Sequence, residues 1–160
     1  MKIGTVLREL HEAENDLVKE LLKVSERHEV DHEIFHLGRD LAEWSRHHVR
    51  EIAAIAPKYG EQLDPEPTHE LGLLAAMREK GSELAGRSSS TELVMLRDLR
   101  DVYLKASSVL LDWEMIGQAA QSIKDEELHQ LAQRCQTETT RQQKWANSKI
   151  KEASTQALVV

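Results

Sequence analysis

The chain has 160 residues, a length that suits a single domain over 1–160 with room for a real core. Its formal net charge of −7 argues against a nucleic-acid surface built on bulk attraction. Only 7 Gly, 3 Pro and 1 Phe occur, and strand-like runs of Val, Ile, Tyr and Phe are absent, so the composition favours an all-α protein. The lone Cys135 rules out an internal disulfide and fits a reducing compartment. MKIGTVLRELHEAE carries charges in its first turns, reads as neither signal peptide nor membrane span, and leaves the cytoplasm as the expected location, with no membrane partner.

In chain order, a first helix is expected from about Lys2 to Arg27, with Ile3, Leu7, Leu10, Leu17, Leu21 and Val24 on one seam. SERHEVDHE interrupts it, and Asp31 is a fitting N-cap for a second helix with seam residues Ile34, Leu41, Ile52 and Ile55, ending near Pro57. KYGEQLDPEPT is the clearest loop. A shorter amphipathic segment, THELGLLAAMREKGSELAG, reads as a connecting helix capped by Thr68 and weakened at Gly81. Ser90 or Thr91 caps a third long helix whose seam runs through Met95, Leu99, Val102, Ala106, Val109, Trp113, Ile116, Ala120 and Ile123. A turn is expected near Lys124 and Asp125, followed by a fourth helix from about Glu126 to Ala153; one continuous helix is the alternative, because neither Gly nor Pro marks the turn. The tail STQALVV is expected to fray or to dock late. Four long amphipathic helices with a long crossover containing a short helix point to a four-helix bundle with ferritin-like connectivity.

Two seams contain residues that do not belong in a hydrophobic stripe. Glu14 fills the slot between Leu10 and Leu17, and His48 completes the series Ile34, Leu41, His48, Ile55. Helices joined by a short turn are antiparallel, so with a turn near residue 29 Glu14 faces the neighbourhood of Trp44 to His48. Similarly, Glu138 completes Leu131, Glu138, Trp145 and lies within a turn of Asp112 on the third helix. A layer of Glu14, His48, Asp112 and Glu138 is therefore expected across the middle of the bundle. Carboxylates and an imidazole projecting inward from four helices suit iron, manganese or zinc. The same residues also suit a buried layer of ion pairs that fixes helix register, for example Glu14 or Glu138 with His48 and Arg141.

LHEAENDLVK, with Leu10, Ala13, Glu14, Leu17, Val18 and Lys19, together with His48, Val49 and Ile52 in HHVREIAAI, resembles the ferritin-like superfamily, most closely its small bacterial stress-associated members. The resemblance covers roughly residues 5 to 56. It implies a metal centre of iron or manganese to which Glu14 and His48 contribute as ligands. It also implies a second-helix glutamate, where this chain has Trp44 or Ser45 unless Glu43 and His47 form the pair. The fourth-helix Glu-x-x-His of the family reads Glu138, Thr139, Thr140, Arg141 here, so the dinuclear motif is incomplete.

Elsewhere, Glu126 and His129 read as first-turn capping, His28, His32, His36 and His69 as surface histidines near turns, and Cys135 as a buried small residue. Two functions are thus expected from these residues: a helical bundle that binds one metal ion or a small ligand, or a metal-free structural or interaction module. For either, apolar surface on the connecting helix and on the Leu93/Leu96 side makes a homodimer the expected partner.

Overall fold

The computed structural model describes residues 1–67 and 90–160. The described chain is all-helical and contains no strand. It consists of α1 (Ile3–Arg27), α2 (His32–Ile55), a short 3-10 turn (Ala56–Tyr59), α3 (Thr91–Ser122) and α4 (Glu126–Leu158). The connecting helix expected around Thr68 and Gly81, and His69 with it, lie outside the described residues.

Three helices begin where a side-chain acceptor can take an otherwise unpaired first-turn amide. Asp31 accepts from Ile34 N at 3.1 Å, Ser90 from Leu93 N at 3.2 Å and Asp125 from Leu128 N at 3.2 Å. The boundary between α3 and α4 is a real break, with Lys124 in the left-handed region at φ 59°. A lysine there is unfavourable by roughly 1–2 kcal/mol, a cost set against the Asp125 cap that follows. At the other turn, Gly60 ends the 3-10 segment at φ 83°. Gly4 lets α1 approach that segment, since a Cβ at this position would collide with the Tyr59 carbonyl.

Within each pair joined by a short turn the helices are antiparallel, and so are the pairs across the bundle. Along α1 and α3, Glu14 meets Trp113 and Arg27 meets Asp98. Along α2 and α4, Glu33 meets Lys149, Ser45 meets Gln142, and Glu51 meets Arg134. The expected seams of α1 and α2 are buried throughout, and that of α3 is buried from Leu99 to Ala120. Ile123 departs from the seam: as the C-cap of α3 it is 42% exposed. In α4 the buried residues are Leu128, Leu131, Ala132, Cys135, Thr139, Gln142, Ala146 and Lys149. Glu138 and Trp145, which continue the series from Leu131, are half-buried at the edge of that face. The tail neither frays at Ala153 nor docks: α4 continues to Leu158, while Leu158, Val159 and Val160 are exposed.

Each end of the helical stack is fastened by a buried or capped aspartate. At one end Asp98 accepts from Arg27 Nη1 at 3.0 and 3.3 Å and pairs with His28 Nε2 at 2.8 Å. His28 is therefore a buried residue, contrary to the surface position expected from its nearness to the turn. At the opposite end the Tyr59 hydroxyl donates to Asp125, and Lys58 Nζ stands 2.8 Å from the same carboxylate. Burial pushes the Asp125 carboxyl up, but hydrogen bonds from Lys58, Tyr59 and the Leu128 amide prevail and hold it at about 2.

Candidate functional site

Midway along the stack the structure brings Glu14, His48 and Glu138 together. Glu14 on α1 and His48 on α2 have no solvent exposure, and their level follows from the short α1–α2 turn. His48 Nδ1 lies 2.5 Å from Glu14 Oε2, and His48 Nε2 lies 3.3 Å from Glu138 Oε2 on α4. From α3, the fully buried Trp113 donates its indole N–H to Glu14 Oε2 at 3.3 Å. The Trp113 ring also stands edge-on to the imidazole, with centroids 6.1 Å apart and an interplanar angle of 80°. Each of the four helices thus contributes one side chain to a connected polar layer.

The electrostatics of the layer follow from this geometry. Burial alone would lower the His48 pKa, but the Glu14 charge and hydrogen bonds with Cys135, Glu138 and Glu14 push it up to about 12. A glutamate oxygen beside each ring nitrogen favours a proton on each, that is, the imidazolium form of His48. Glu138, whose side chain is 26% exposed, is held below the usual carboxylate range by the hydrogen bond from His48. Glu14 Oε1 is buried and has no hydrogen-bond partner among the described residues. Cys135 is fully buried, with Sγ 4.0 Å from Glu51 Oε2. Burial pushes its thiol up against the pull of the charged imidazole, which suits an inert core thiol rather than a nucleophile.

Asp112 stands apart from this network. It is half-buried on α3, beside a shallow surface groove shared with Ser108, Leu111 and Met115. Burial and then the charges of Glu9 and Glu14 push its carboxyl up. Of the alternative pair, Glu43 is exposed and ion-paired with Arg46 and Arg50, while the exposed His47 lies 3.6 Å from Glu51. His48, not His47, faces the core. Arg141 is exposed, and the cationic groups acting on Glu138 are His48, His47 and Arg134.

The residues present do not fit a dinuclear carboxylate centre. The position that would complete a fourth-helix Glu-x-x-His is Arg141, whose guanidinium cannot be a ligand, and Asp112 stands apart from the other carboxylates. Among the described residues no three His, Cys, Asp or Glu side chains are grouped so as to hold a metal ion.

Sequence reasoning placed Glu14, His48 and Glu138, with Gln142 as further polarity one turn from Glu138, but missed the part that Trp113 plays. Trp113 was legible only as a seam residue, although a buried indole N–H needs an acceptor and the nearest misfit was Glu14. Gln142 forms a second polar level one turn from Glu138, donating to the Leu41 carbonyl and to Ser45 Oγ, each at 2.9 Å. No helix among the described residues is long and apolar enough to cross a membrane.

No family model, curated protein or solved structure matches the chain.

Proposed function

We propose that this chain is a cytoplasmic, ferritin-like four-helix bundle that serves as a structural or protein-interaction module, held in register by the charged Glu14–His48–Glu138 clamp. The observation that carries this reading is the imidazole of His48 with a glutamate oxygen at each ring nitrogen, at 2.5 and 3.3 Å, inside a layer to which all four helices contribute. Sliding a helix by one residue moves its side chains about 1.5 Å along the axis and about 100° around it, which breaks such a layer. The cost of stranding a buried charge then disfavours every alternative register. Ferritin-like crossover connectivity is supported by the positions of Tyr59 and Asp98. Tyr59, just after α2, sits beside Asp125 at one end of the stack, and Asp98, near the start of α3, sits beside Arg27 at the other, so α2 ends and α3 begins at opposite ends.

The clamp is tested by the protonation of His48. An ordinary imidazole, with a pKa of about 6.5, is neutral at pH 9; His48 is expected to carry both ring protons there, read from its 15N shifts. Because its folded pKa is raised, its stabilisation is full below pH 6.5 and declines as pH rises toward about 12. The denaturation midpoint should therefore fall between pH 6 and pH 9 in the native chain more than in His48→Gln. A neutral His48 ring at pH 9 would end this reading.

A second reading, favoured by the buried and unpartnered Oε1 of Glu14, is a site for one cation such as iron or manganese, or for a small polar ligand. Metal analysis of protein purified without chelator, repeated on Glu14→Ala and His48→Ala, separates the two. Stoichiometric metal in the native chain, lost in both variants, supports the site; metal-free protein in all three removes it.

A further inference from the structure

The face of α3 turned away from the core carries apolar residues that the other described residues leave exposed. Leu104, Leu111 and Met115 are 50%, 59% and 53% exposed and, with the exposed Ser108, line one side of the helix opposite Val102, Ala106, Val109 and Trp113. Among the described residues the other large exposed apolar side chains are single positions, a helix cap, or sit at turns and chain ends: Leu37, Ile123, Val30, Met1 and the last three residues. Single exposed apolar residues are ordinary, whereas a contiguous stripe marks an interaction surface.

We propose that a second copy of this chain docks on this face, with the two α3 helices antiparallel about a twofold axis passing between residues 109 and 110. The inference goes beyond the register clamp and does not rest on it. Its first support is the spacing. Steps of four, three and four residues between Leu104, Ser108, Leu111 and Met115 read the same in both directions. An isologous interface needs this self-complementarity. Leu104 of one copy then lies on Met115 of the other, twice, and Ser108 lies on Leu111, twice. The groove between Leu111, Met115 and Gln118 receives the incoming Leu104 side chain.

The second support is charge. The exposed Arg97 and Arg100 continue the stripe toward the N-terminal end of α3, where the helix dipole gives a cation no benefit. In the antiparallel arrangement they meet residues 119–122 of the other copy, the negative end of its α3, whose last turn holds no basic residue. A parallel arrangement would set the arginines of the two copies against each other. The apolar stripe spans about 16 Å at 1.5 Å per residue, a small contact, so association is in the micromolar range rather than obligate.

Sedimentation velocity of the full chain over a range from about 1 to 500 µM tests this. A reversible monomer–dimer equilibrium is expected, with the dissociation constant raised at least about tenfold in Leu111→Glu, which places two carboxylates beside the axis (about 1.4 kcal/mol). Circular dichroism and the denaturation midpoint of Leu111→Glu should match the native chain, as for other exposed substitutions. Arg97→Gln with Arg100→Gln should weaken the dimer further and flatten its salt dependence. A monomer at every concentration overturns the proposal, as does association unchanged in Leu111→Glu. A dimer strengthened by the arginine substitutions overturns the antiparallel orientation.

Discussion

Replacing His48 by Leu is expected to destabilise the chain by about 3–5 kcal/mol, the usual cost of removing one partner from a buried charge pair. The substitution keeps most of the side-chain volume and opens no large cavity. What it removes is the cation hydrogen-bonded to Glu14. The carboxylate then keeps one donor, the Trp113 indole at 3.3 Å, and its Oε1 already lacks a partner. Two exits remain: Glu14 takes up a proton, or water enters the layer. Either uses folding free energy, and for a chain of this length each kcal/mol lowers Tm by about 2–4 °C. The double variant Glu14→Leu with His48→Leu is expected to recover most of the loss and could exceed the native midpoint, because apolar replacements of whole buried pairs are often neutral or stabilising by 1–4 kcal/mol. Glu138 tolerates losing His48, since it is partly exposed and reaches solvent. Equilibrium denaturation in guanidinium of the native chain, the two single variants and the double variant decides the matter. If His48→Leu costs less than about 1 kcal/mol, the clamp contributes nothing that a leucine does not.

The same energetics separate stability from specificity. A clamp that costs more than the apolar core it displaces is retained only if it selects among arrangements. Antiparallel helices with Leu-rich seams can pack at neighbouring heptad positions with little loss of apolar burial. In this chain such a shift would leave Glu14 facing Leu41 or Ile55, the residues one heptad either side of His48. The double variant should accordingly be as stable as the native chain but less uniquely ordered, with broader amide resonances.

How far the sequence reveals this arrangement differs between helices for a physical reason. In α1 and α2 the seams are almost wholly apolar, so Glu14 and His48 stand out as misfits, and a short turn puts them at one level. In α4 the buried positions include Gln142, Thr139 and Lys149, which look like surface residues in any apolar periodicity. Lys149 is buried because Glu33 accepts from its amine at 2.9 Å, a partner 116 residues away. The series Leu131, Glu138, Trp145 is the pattern the sequence offers instead, although of these only Leu131 is buried. Glu138 still reached the right site because a glutamate spans the distance from the edge of the packed face to His48. His28 and Asp98 show the same limit, each polar and near a helix end, and each buried against the other, with Arg27 as a further partner of Asp98. Asp112 shows the converse: three- and four-residue steps from Val109 and Ile116 put it at the rim of the seam, and it faces a surface groove.

Trp113 offers the sharpest test of whether the layer acts as one unit. Trp113→Ala removes the largest fully buried side chain and should cost about 3–5 kcal/mol by cavity formation alone. Trp113→Phe keeps most of the apolar contact and deletes the N–H that reaches Glu14 Oε2, so its cost should approach that of a hydrogen bond to a charged group, about 1.5–3 kcal/mol. The indole and the imidazole serve the same oxygen, which makes their effects interdependent. Once His48→Leu has forced a proton or water onto the Glu14 carboxylate, the lost indole donor matters less. Trp113→Phe with His48→Leu should therefore cost less than the sum of the single variants by about 0.5–3 kcal/mol. Trp113→Phe combined with an Asp98→Asn change at the far end of α1 should be additive within about 0.5 kcal/mol, since the two sites share no partner. Additivity in the first cycle would mean that Trp113 packs beside the clamp without belonging to it, and the layer would then tie together three helices rather than four.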